Sequence, residues 1–349
     1  MKPWVDRYLQ CPVSFIHKCT DQERINRITR WKFESPDTLA AANATVLDVV
    51  RQHLLGKAVA FIGDSISVQS YHSFVCTLAA VPDLEVLKAD AAQCGLSPNL
   101  ITEKPYCHLV QLRGADNSTG DGIEQLRIFF VRSNFLVEES NGHGGRRLDF
   151  DRLHRNFRAV LEMRFLPDYI VLNTGHWYVW SALYNMNDEQ LVDRPALFHD
   201  VMKSVTRLMG DRLAQRVGTA GRYPQVVYRT DTLSHFVMYN ASVTKPFSTD
   251  CPFTTPDPAF DSDAYYLVHL YGNFSEHAVN DWRASSLWNH TWILDAQLIS
   301  RDRRDAHTSS GLKGQNAYDC SHFCLPGAPD AWTDVLMAKM WRAYVRDTL

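Results

Sequence analysis

The sequence predicts an α/β fold in which a parallel sheet is flanked by helices. Short apolar runs of strand length alternate with longer segments of helical spacing, which is typical of parallel sheets with right-handed crossovers. At 349 residues, with 45% hydrophobic and 21% charged residues, the chain can bury a large core. Because no internal repeat is present, we predict one domain over residues 1–349, with residues 1–56 as a cysteine-containing segment packed on it.

The elements follow from the apolar pattern, taken in order along the chain. The predicted strands are 59–62, 126–132, 169–172, 225–231 and 291–295. The predicted helices are one ending near Gly56, one after Ser65, and those near 149–165, 195–217, 272–287 and 330–346. The Gly-, Asn- and Cys-rich residues 81–125 predict crosslinked loops, and we expect 232–264 and 296–326 to be long loops at the active site.

Charge and hydropathy exclude two classes of partner. A net charge of −3 lacks the basic excess of nucleic-acid-binding proteins. The sequence contains no apolar run long enough to span a bilayer, and its first residues lack the apolar core of a signal peptide. We therefore expect contact with a membrane only through an anchor outside this sequence.

Cysteines and glycosylation sequons together indicate an oxidising compartment. The eight cysteines are Cys11, Cys19, Cys76, Cys94, Cys107, Cys251, Cys320 and Cys324. The five sequons begin at Asn43, Asn117, Asn240, Asn273 and Asn289. We predict four disulfides of unassigned pairing in a protein of the Golgi lumen or a secreted protein. The alternative is a cytosolic protein with free thiols and chance sequons.

Ser65 is the first candidate catalytic residue. It follows the strand that ends at Gly63 and precedes a helix, so it lies at the carboxyl edge of the sheet, where ligands bind. The N–H groups of a helix start favour a developing negative charge, and a serine oxygen there can act as a nucleophile. The alternative is that Asp64 and Ser65 are only cap and turn residues.

His322 is the best candidate for the base, with Asp319 three residues before it. On a tight turn the carboxylate can orient the imidazole and stabilise its cation. A zinc site is the alternative, with Cys320, His322 and Cys324 as ligands and His235 or His176 completing the set. Because that spacing is unusual for zinc and His322 already has a role, we predict no metal.

The stretch Asn173 to Tyr178 follows another buried strand. Asn173 and Gly175 are candidates for the donors of an oxyanion hole. His176, Trp177, Tyr178 and, farther along, Trp180 are candidates for contacts with substrate, since aromatic rings stack on sugars. The alternatives are that Gly175 only forms a turn and that these aromatic residues belong to the core.

Several stretches carry a resemblance to a known family. They are "GDSIS", "VLNTGHWY" and "DCSHFCLPGAPDAWTDVL", together with "CPVSFIHKC", "RWKF", "VRSNFLVEE" and "YRTDTLSHF". Together they resemble the trichome birefringence-like family of polysaccharide O-acetyltransferases, in the PC-esterase group of the SGNH hydrolase superfamily. The resemblance implies an SGNH-like sheet, with the long crosslinked loops forming a second lobe.

The resemblance also implies roles for individual residues. Ser65 would be the nucleophile, His322 the base and Asp319 its orienting acid, while the Ser65 N–H, Asn173 and Gly175 would form the oxyanion hole. This sequence departs from the family pattern in three places: the arginine expected in the stretch 66–70 is missing, Asn134 replaces a proline, and Tyr178 replaces a second tryptophan. These changes bear on the acceptor more than on the triad.

The predicted activity is transfer of an acetyl group, through an acetyl-serine intermediate, to hydroxyl groups of a cell-wall or secretory-pathway polysaccharide. No bound cofactor is expected, and acetyl-CoA or another acetyl donor would be a co-substrate. A carbohydrate acetylesterase with the same triad is the first alternative. A glycan-binding protein without catalysis is the second.

Overall fold

The structure is a computed structural model, and it describes residues 11, 35–114, 124–142, 145–180, 194–220, 222–232, 261–301, 303, 306–308 and 319–348. The strands are β1 (Ala58–Gly63), β2 (Leu84–Lys88), β3 (Tyr106–Leu112), β4 (Leu126–Arg132), β5 (Val137–Gly142), β6 (Gly145–Leu153), β7 (Tyr169–Leu172), β8 (Gln225–Arg229), β9 (Thr291–Leu294), β10 (His307–Thr308) and β11 (Asp319–Phe323). The helices are α1 (Val46–Val49), α2 (Ser65–Ala79), α3 (Arg155–Leu161), α4 (His176–Trp180), α5 (Arg194–Ala220), α6 (Asp261–Ala284), α7 (Ala296–Ser300) and α8 (Ala328–Thr348). A π-helical turn (Val50–Leu54) extends α1.

A seven-stranded sheet in the order β2-β3-β4-β1-β7-β8-β9 organises the chain. Its five strands from β4 to β9 run parallel, whereas β3 is antiparallel to β4 and β2 is antiparallel to β3. This confirms the predicted α/β class. All carboxyl ends of the parallel strands, including that of β1, therefore meet at one edge.

Alternating side chains of each central strand enter two different apolar cores. In β1, Ala58, Ala60 and Ile62 face the core formed with α3, α5 and α6. Val59 and Phe61 face the opposite core, formed with α1, α2 and α8. Since both faces are covered, each central strand is a continuous apolar run, which is why these strands are recognisable in the sequence.

Two parts of the predicted fold are wrong. Residues 81–125 are not only loops, because they contain β2 and β3; these strands lie at the edge of the sheet and carry half-exposed polar residues such as Glu85 and Gln111. The predicted helix 149–165 begins too early, because residues 149–153 complete the β5–β6 hairpin and the helix is α3.

The two predicted long loops contain regular structure. The helix α6 begins at Asp261, inside the predicted loop 232–264, of which residues 233–260 lie outside the described residues. The predicted loop 296–326 holds α7 and the antiparallel pair β10–β11. The helices predicted at 195–217 and 330–346 correspond to α5 and α8.

Disulfides fasten the segments around α2 and the antiparallel edge of the sheet. Cys11 is bonded to Cys76 on α2, with 4.8 Å between their Cα atoms. Cys94 is bonded to Cys107 at the start of β3, with 6.2 Å between Cα atoms. Cys324 is also disulfide-bonded. The side chains of Cys19, Cys251 and Cys320 lie outside the described residues.

None of the helices in the described ranges combines the length and the apolar composition that spanning a bilayer requires.

Candidate active site

Ser65 lies at the carboxyl edge of the sheet as the first residue of α2. The helix is capped by Asp64, whose Oδ1 accepts hydrogen bonds from the backbone N–H groups of Ile66 and Ser67 at 2.9 and 3.3 Å. The cap thus uses the second and third N–H groups of the helix and not that of Ser65. Ser65 is half-buried. Because it is the first residue of the helix, its hydroxyl and its N–H lie at the positive end of the helix dipole.

The imidazole of His322 meets the hydroxyl of Ser65. The Nε2 atom of His322 lies 2.7 Å from Ser65 Oγ, so Nε2 accepts from the hydroxyl when the ring proton is on Nδ1. Gln69 holds the neighbouring backbone: its Nε2 donates to the carbonyl of Phe323 at 2.5 Å, and its Oε1 accepts from the Phe323 N–H at 3.0 Å. The α2 helix therefore fixes both members of the pair.

Asp319 begins the same short strand, β11, as His322. In a regular strand, residues three apart point to opposite faces. Here the register between β10 and β11 is irregular, since His307 pairs with Phe323 while Thr308 pairs with Asp319. The intervening residues bulge, which removes that restriction on Asp319 and His322. The side chain of Asp319 lies outside the described residues, so its orienting role stays a prediction.

Asn173 connects three elements behind Ser65. Its Nδ2 donates to the carbonyl of Arg229 at 3.1 Å, and its Oδ1 accepts from the hydroxyl of Ser67 at 3.4 Å. Gly63 allows this approach, because a Cβ there would collide with Ser67 Oγ and the Asn173 carbonyl, and its φ is +154°. Asn173 is thus a buried link between β7, β8 and α2, and its role as an oxyanion donor stays a prediction.

Gly175 lies against Asp231, which follows β8. A Cβ at Gly175 would lie 2.6 Å from Cβ and Oδ2 of Asp231, and the φ of this glycine is +151°. Only glycine meets both conditions without strain. A turn at Gly175 is therefore compatible with the predicted role of this residue in an oxyanion hole.

Three buried ionisable residues, Asp64, Arg229 and Asp231, lie at the carboxyl edge of the sheet, where Ser65 follows Asp64. Each is at most 1% exposed, and the guanidinium of Arg229 stands 5.0 Å from the ring of Trp332 on α8. Burial raises the pKa of both carboxyls, and Arg229 opposes this. The charge of Asp64 raises the pKa of Asp231 further, so that it lies well above its usual value. Asp64 accepts two backbone N–H bonds, and its negative charge disfavours ionisation of Asp231, so we assign the retained proton to Asp231.

The predicted substrate contacts separate into two groups. His176 lies beside the pair formed by Ser65 and His322, with its ring centroid 6.4 Å from that of His322. Trp177 is half-buried and makes an edge contact with Phe135 at 6.2 Å. Tyr178 does not fit the prediction: it has no exposed surface, and its hydroxyl donates to the Phe135 carbonyl at 3.0 Å. The side chain of Trp180 lies outside the described residues.

The zinc alternative conflicts with the chemistry of Cys324. A disulfide sulfur cannot supply a thiolate, so the proposed set of Cys320, His322 and Cys324 loses a ligand. His235 lies outside the described residues. Within the described ranges, no group of three or more His, Cys, Asp or Glu side chains is arranged to hold a metal ion.

Three residues that shape the site were not predicted from the sequence: Gln69, Arg229 and Asp231. For Gln69 a signal exists, because it follows Ser65 by four residues on a helix and so shares its face. A glutamine on the apolar face of a buried helix needs a partner. For Arg229 and Asp231 the sequence shows only that they end a buried strand at the edge where Ser65 lies.

This arrangement is suited to acyl transfer. A serine hydroxyl and an imidazole in hydrogen-bond contact are the minimum for nucleophilic catalysis. The helix N-terminus at Ser65 can stabilise the oxyanion that forms on an attacked carbonyl. Glycines and buried links hold the surrounding strand ends close together.

Known proteins resemble this chain in sequence over most of its length. The chain is 25% identical to trichome birefringence-like protein 7 of Arabidopsis thaliana, over 91% of this chain and 64% of that protein. It is 24% identical to xyloglucan O-acetyltransferase 4 of Populus trichocarpa and to xyloglucan O-acetyltransferase 1 of Arabidopsis thaliana, over 92% and 90% of this chain. The chain spans 64%, 61% and 66% of the lengths of trichome birefringence-like proteins 7, 4 and 38 of Arabidopsis thaliana.

The family assignment rests on a match over most of the chain. Residues 43–339 match the profile of the PC-esterase family, described as a GDSL/SGNH-like acyl-esterase family found in Pmr5 and Cas1p. The matched range includes Ser65, His322 and every strand of the seven-stranded sheet. The chain therefore belongs to the PC-esterase family of GDSL/SGNH-like acyl-esterases.

Proposed function

We propose that this protein is an O-acetyltransferase that moves an acetyl group through Ser65 to a hydroxyl of a polysaccharide. The observation that carries the proposal is the 2.7 Å contact between Ser65 Oγ and His322 Nε2 at a helix N-terminus. Relatives named xyloglucan O-acetyltransferase match about nine-tenths of the chain, which supports a polysaccharide acceptor.

The first half-reaction forms an acetyl-enzyme. His322 Nε2 takes the proton of Ser65 as Oγ attacks the carbonyl carbon of the acetyl donor. The Ser65 N–H, with the second N–H of Asn173 Nδ2 and the backbone of Gly175, stabilises the oxyanion. The bond to the leaving group then breaks, and His322 returns the proton to that group. Asp319 orients His322 and stabilises its cation.

The second half-reaction transfers the acetyl group. His322 removes the proton of an acceptor hydroxyl, whose oxygen attacks the acetyl carbon, and the bond to Ser65 Oγ breaks as the serine regains a proton from His322. His176 and Trp177, next to this pair, are proposed contacts of the acceptor. The acetyl donor is acetyl-CoA or another acetyl ester or thioester, and no bound cofactor takes part.

Acetyl transfer to water by the same machinery is the second candidate, favoured by the acyl-esterase description of the family. One experiment separates the two. The protein is incubated with an acetyl donor, with and without a neutral polysaccharide, and both free acetate and glycan-bound acetyl are measured. We expect acetyl on the glycan at the expense of acetate, and neither product with Ser65→Ala. Acetate alone, whatever glycan is offered, would assign an esterase.

We propose that the protein acts in the Golgi lumen or after secretion. The disulfides Cys11–Cys76 and Cys94–Cys107 are typical of an oxidising compartment. The sequon asparagines in the described ranges, Asn43, Asn273 and Asn289, are all exposed and open to glycosylation. Treatment of the cell-derived protein with an N-glycosidase should increase its gel mobility, and an unchanged mobility would contradict this placement.

A further inference from the structure

A pocket of about 400 Å³ opens beside the antiparallel edge of the sheet, at some distance from Ser65. Its walls are residues 89–92, which follow β2, and residues 101–105, which precede β3. We call it the β2–β3 pocket. None of its lining residues belongs to the site described above, and its walls include both apolar and charged side chains.

The topology places this pocket on the same edge of the sheet as the nucleophile. Since β3 is antiparallel to β4, the start of β3 lies where β4 and β1 end, and the end of β2 lies there too. Neighbouring strands are about 4.8 Å apart, so the pocket lies about 10–14 Å from β1, the strand that precedes Ser65. A chain molecule that crosses the carboxyl edge of the sheet can reach both places.

A continuous set of bonds fixes the pocket relative to Ser65. Asn156 accepts from the N–H and the hydroxyl of Thr102 at 3.0 and 3.1 Å, and it donates to the carbonyl of Arg132 at 2.8 Å. Arg132 forms an ion pair with Glu103 in the pocket wall at 3.2 Å. The next residue, Ser133, donates its N–H to the Gly63 carbonyl at 2.8 Å. The pocket is therefore held at a defined distance from the reaction centre.

The lining indicates the chemistry of the ligand. Ala89, Ala91, Ile101 and Pro105 supply apolar surface, which suits the C–H face of a sugar ring. Asp90, Glu103 and Lys104 supply hydrogen-bonding groups for hydroxyls. Because Arg132 is paired with Glu103, the charges of these two residues and of Asp90 and Lys104 sum to zero, so the lining offers no excess positive charge to an anionic ligand such as a phosphate. A neutral ligand rich in hydroxyls fits best.

We propose that the β2–β3 pocket is a distal glycan subsite that holds the acceptor polysaccharide several sugar units away from the hydroxyl presented to Ser65. The inference rests on the proposed acetyltransferase function. It implies that long acceptors bind better than short ones, because only they reach both places. The enzyme should therefore prefer polymers to free sugars as acceptors.

The test uses the full chain and a series of cello-oligosaccharides from the disaccharide to the hexasaccharide. Ala92→Trp places a large ring in the pocket, and Ala284→Trp adds the same ring at an exposed alanine at the end of α6. We expect the unmodified protein to show a KM for acetyl transfer that falls with acceptor length. Ala92→Trp should raise the KM for the hexasaccharide about tenfold, to the value for short acceptors, with little change in kcat. Ala284→Trp should match the unmodified protein.

A second variant and a binding measurement keep the test decisive. Lys104→Met removes one hydrogen-bonding group from an exposed position, and it should weaken hexasaccharide binding if the tryptophan variant fails to fold. Calorimetric titration of the Ser65→Ala protein with the hexasaccharide measures binding without chemistry. Length-dependent binding that Ala92→Trp abolishes in this background would support the subsite even if acetyl transfer itself is not observed. Binding or KM that does not change with either pocket variant would overturn the proposal.

Discussion

Gln69 and Phe323 exchange two hydrogen bonds across 254 positions of sequence, through both ends of one side-chain amide. Gln69 is one helical turn after Ser65, and Phe323 directly follows His322. The separation between Ser65 and His322 is therefore set by a clamp between α2 and β11.

Replacing Gln69 with methionine, which is similar in size but cannot hydrogen-bond, should misalign His322 without removing it. Loss of the two bonds leaves the buried N–H and carbonyl of Phe323 without their partner, at a cost of about 1–3 kcal/mol. If most of this energy appears as misalignment, kcat for hydrolysis of a small acetyl ester should fall about ten- to a hundredfold. Steady-state kinetics and thermal unfolding of the same preparation provide the measurement.

The matched control is Gln111→Met. Gln111, on β3, bonds to the side chains of Glu85 and Gln125 at 2.9 and 2.7 Å, away from the site. It also loses two hydrogen bonds, yet its kcat should stay within about twofold of the unmodified protein, because a surface substitution of this kind changes stability by about 0.5 kcal/mol or less. Equal losses of kcat in both variants would show that the clamp does not position His322.

Gly175 should be intolerant of any side chain, and Gly114 offers the comparison that separates contact from backbone strain. Both have positive φ, +151° and +75°, but a Cβ at Gly175 would meet Asp231 at 2.6 Å, whereas nothing lies within 4 Å of one at Gly114. Gly114→Ala should cost about 1 kcal/mol of unfolding free energy from φ alone. Gly175→Ala should cost about 2–4 kcal/mol, since overpacking adds to that strain. Urea unfolding of both variants measures the difference, and equal costs would contradict the packing of Gly175 on Asp231.

The buried carboxyl of Asp231 should reduce stability as the pH rises. Its pKa in the folded protein is raised by burial and by Asp64, so the folded state holds a proton that the unfolded state loses above its value of 3.8. Unfolding free energy is therefore greatest below that value and declines with rising pH toward the folded pKa. The substitution Asp231→Asn removes this pH-dependent contribution to the free energy of unfolding. The variant should gain stability relative to the unmodified protein as pH rises from about 4, by up to about 1.4 kcal/mol per pH unit.

Chemical unfolding at a series of pH values measures this difference. Asp83→Asn, at an exposed carboxylate in the turn before β2, is the control, and its stability difference from the unmodified protein should change little with pH. A stability difference for Asp231→Asn that stays constant or shrinks as the pH rises would show that Asp231 is ionised in the folded protein.

The central strands were predictable from sequence because both of their faces are buried, so they are plain apolar runs. The same rule explains the errors. In β2, Glu85 and Lys88 interrupt the apolar pattern, because an edge strand is only partly covered. In β6, charged residues alternate with Leu148 and Phe150, and a short stretch of this kind resembles one face of a helix as readily as a strand.

At the site, motifs and chain order predict which residues lie at the carboxyl edge of the sheet. Ser65 follows β1 at that edge, whereas His322 lies on β11, in a separate two-stranded sheet, and meets Ser65 because Gln69 on α2 binds the backbone of Phe323. The identity of the partner of Gln69 and the burial of Asp231 depend on distances between elements that no local pattern encodes. Tyr178 shows the opposite error: an aromatic residue two positions after His176 turns inward, where its hydroxyl finds a backbone carbonyl.

The most direct test of the central claim is to look for the acetyl group on Ser65 itself. The protein is mixed with acetyl-CoA or an aryl acetate, quenched in acid within its first turnovers, digested, and analysed by peptide mass spectrometry. Acyl transfer through the Ser65–His322 pair predicts one acetyl group on Ser65, lost when acceptor glycan is added and absent from Ser65→Ala. Full turnover by the Ser65→Ala variant, or an acetyl group that forms on another residue and is passed on from there, would contradict it.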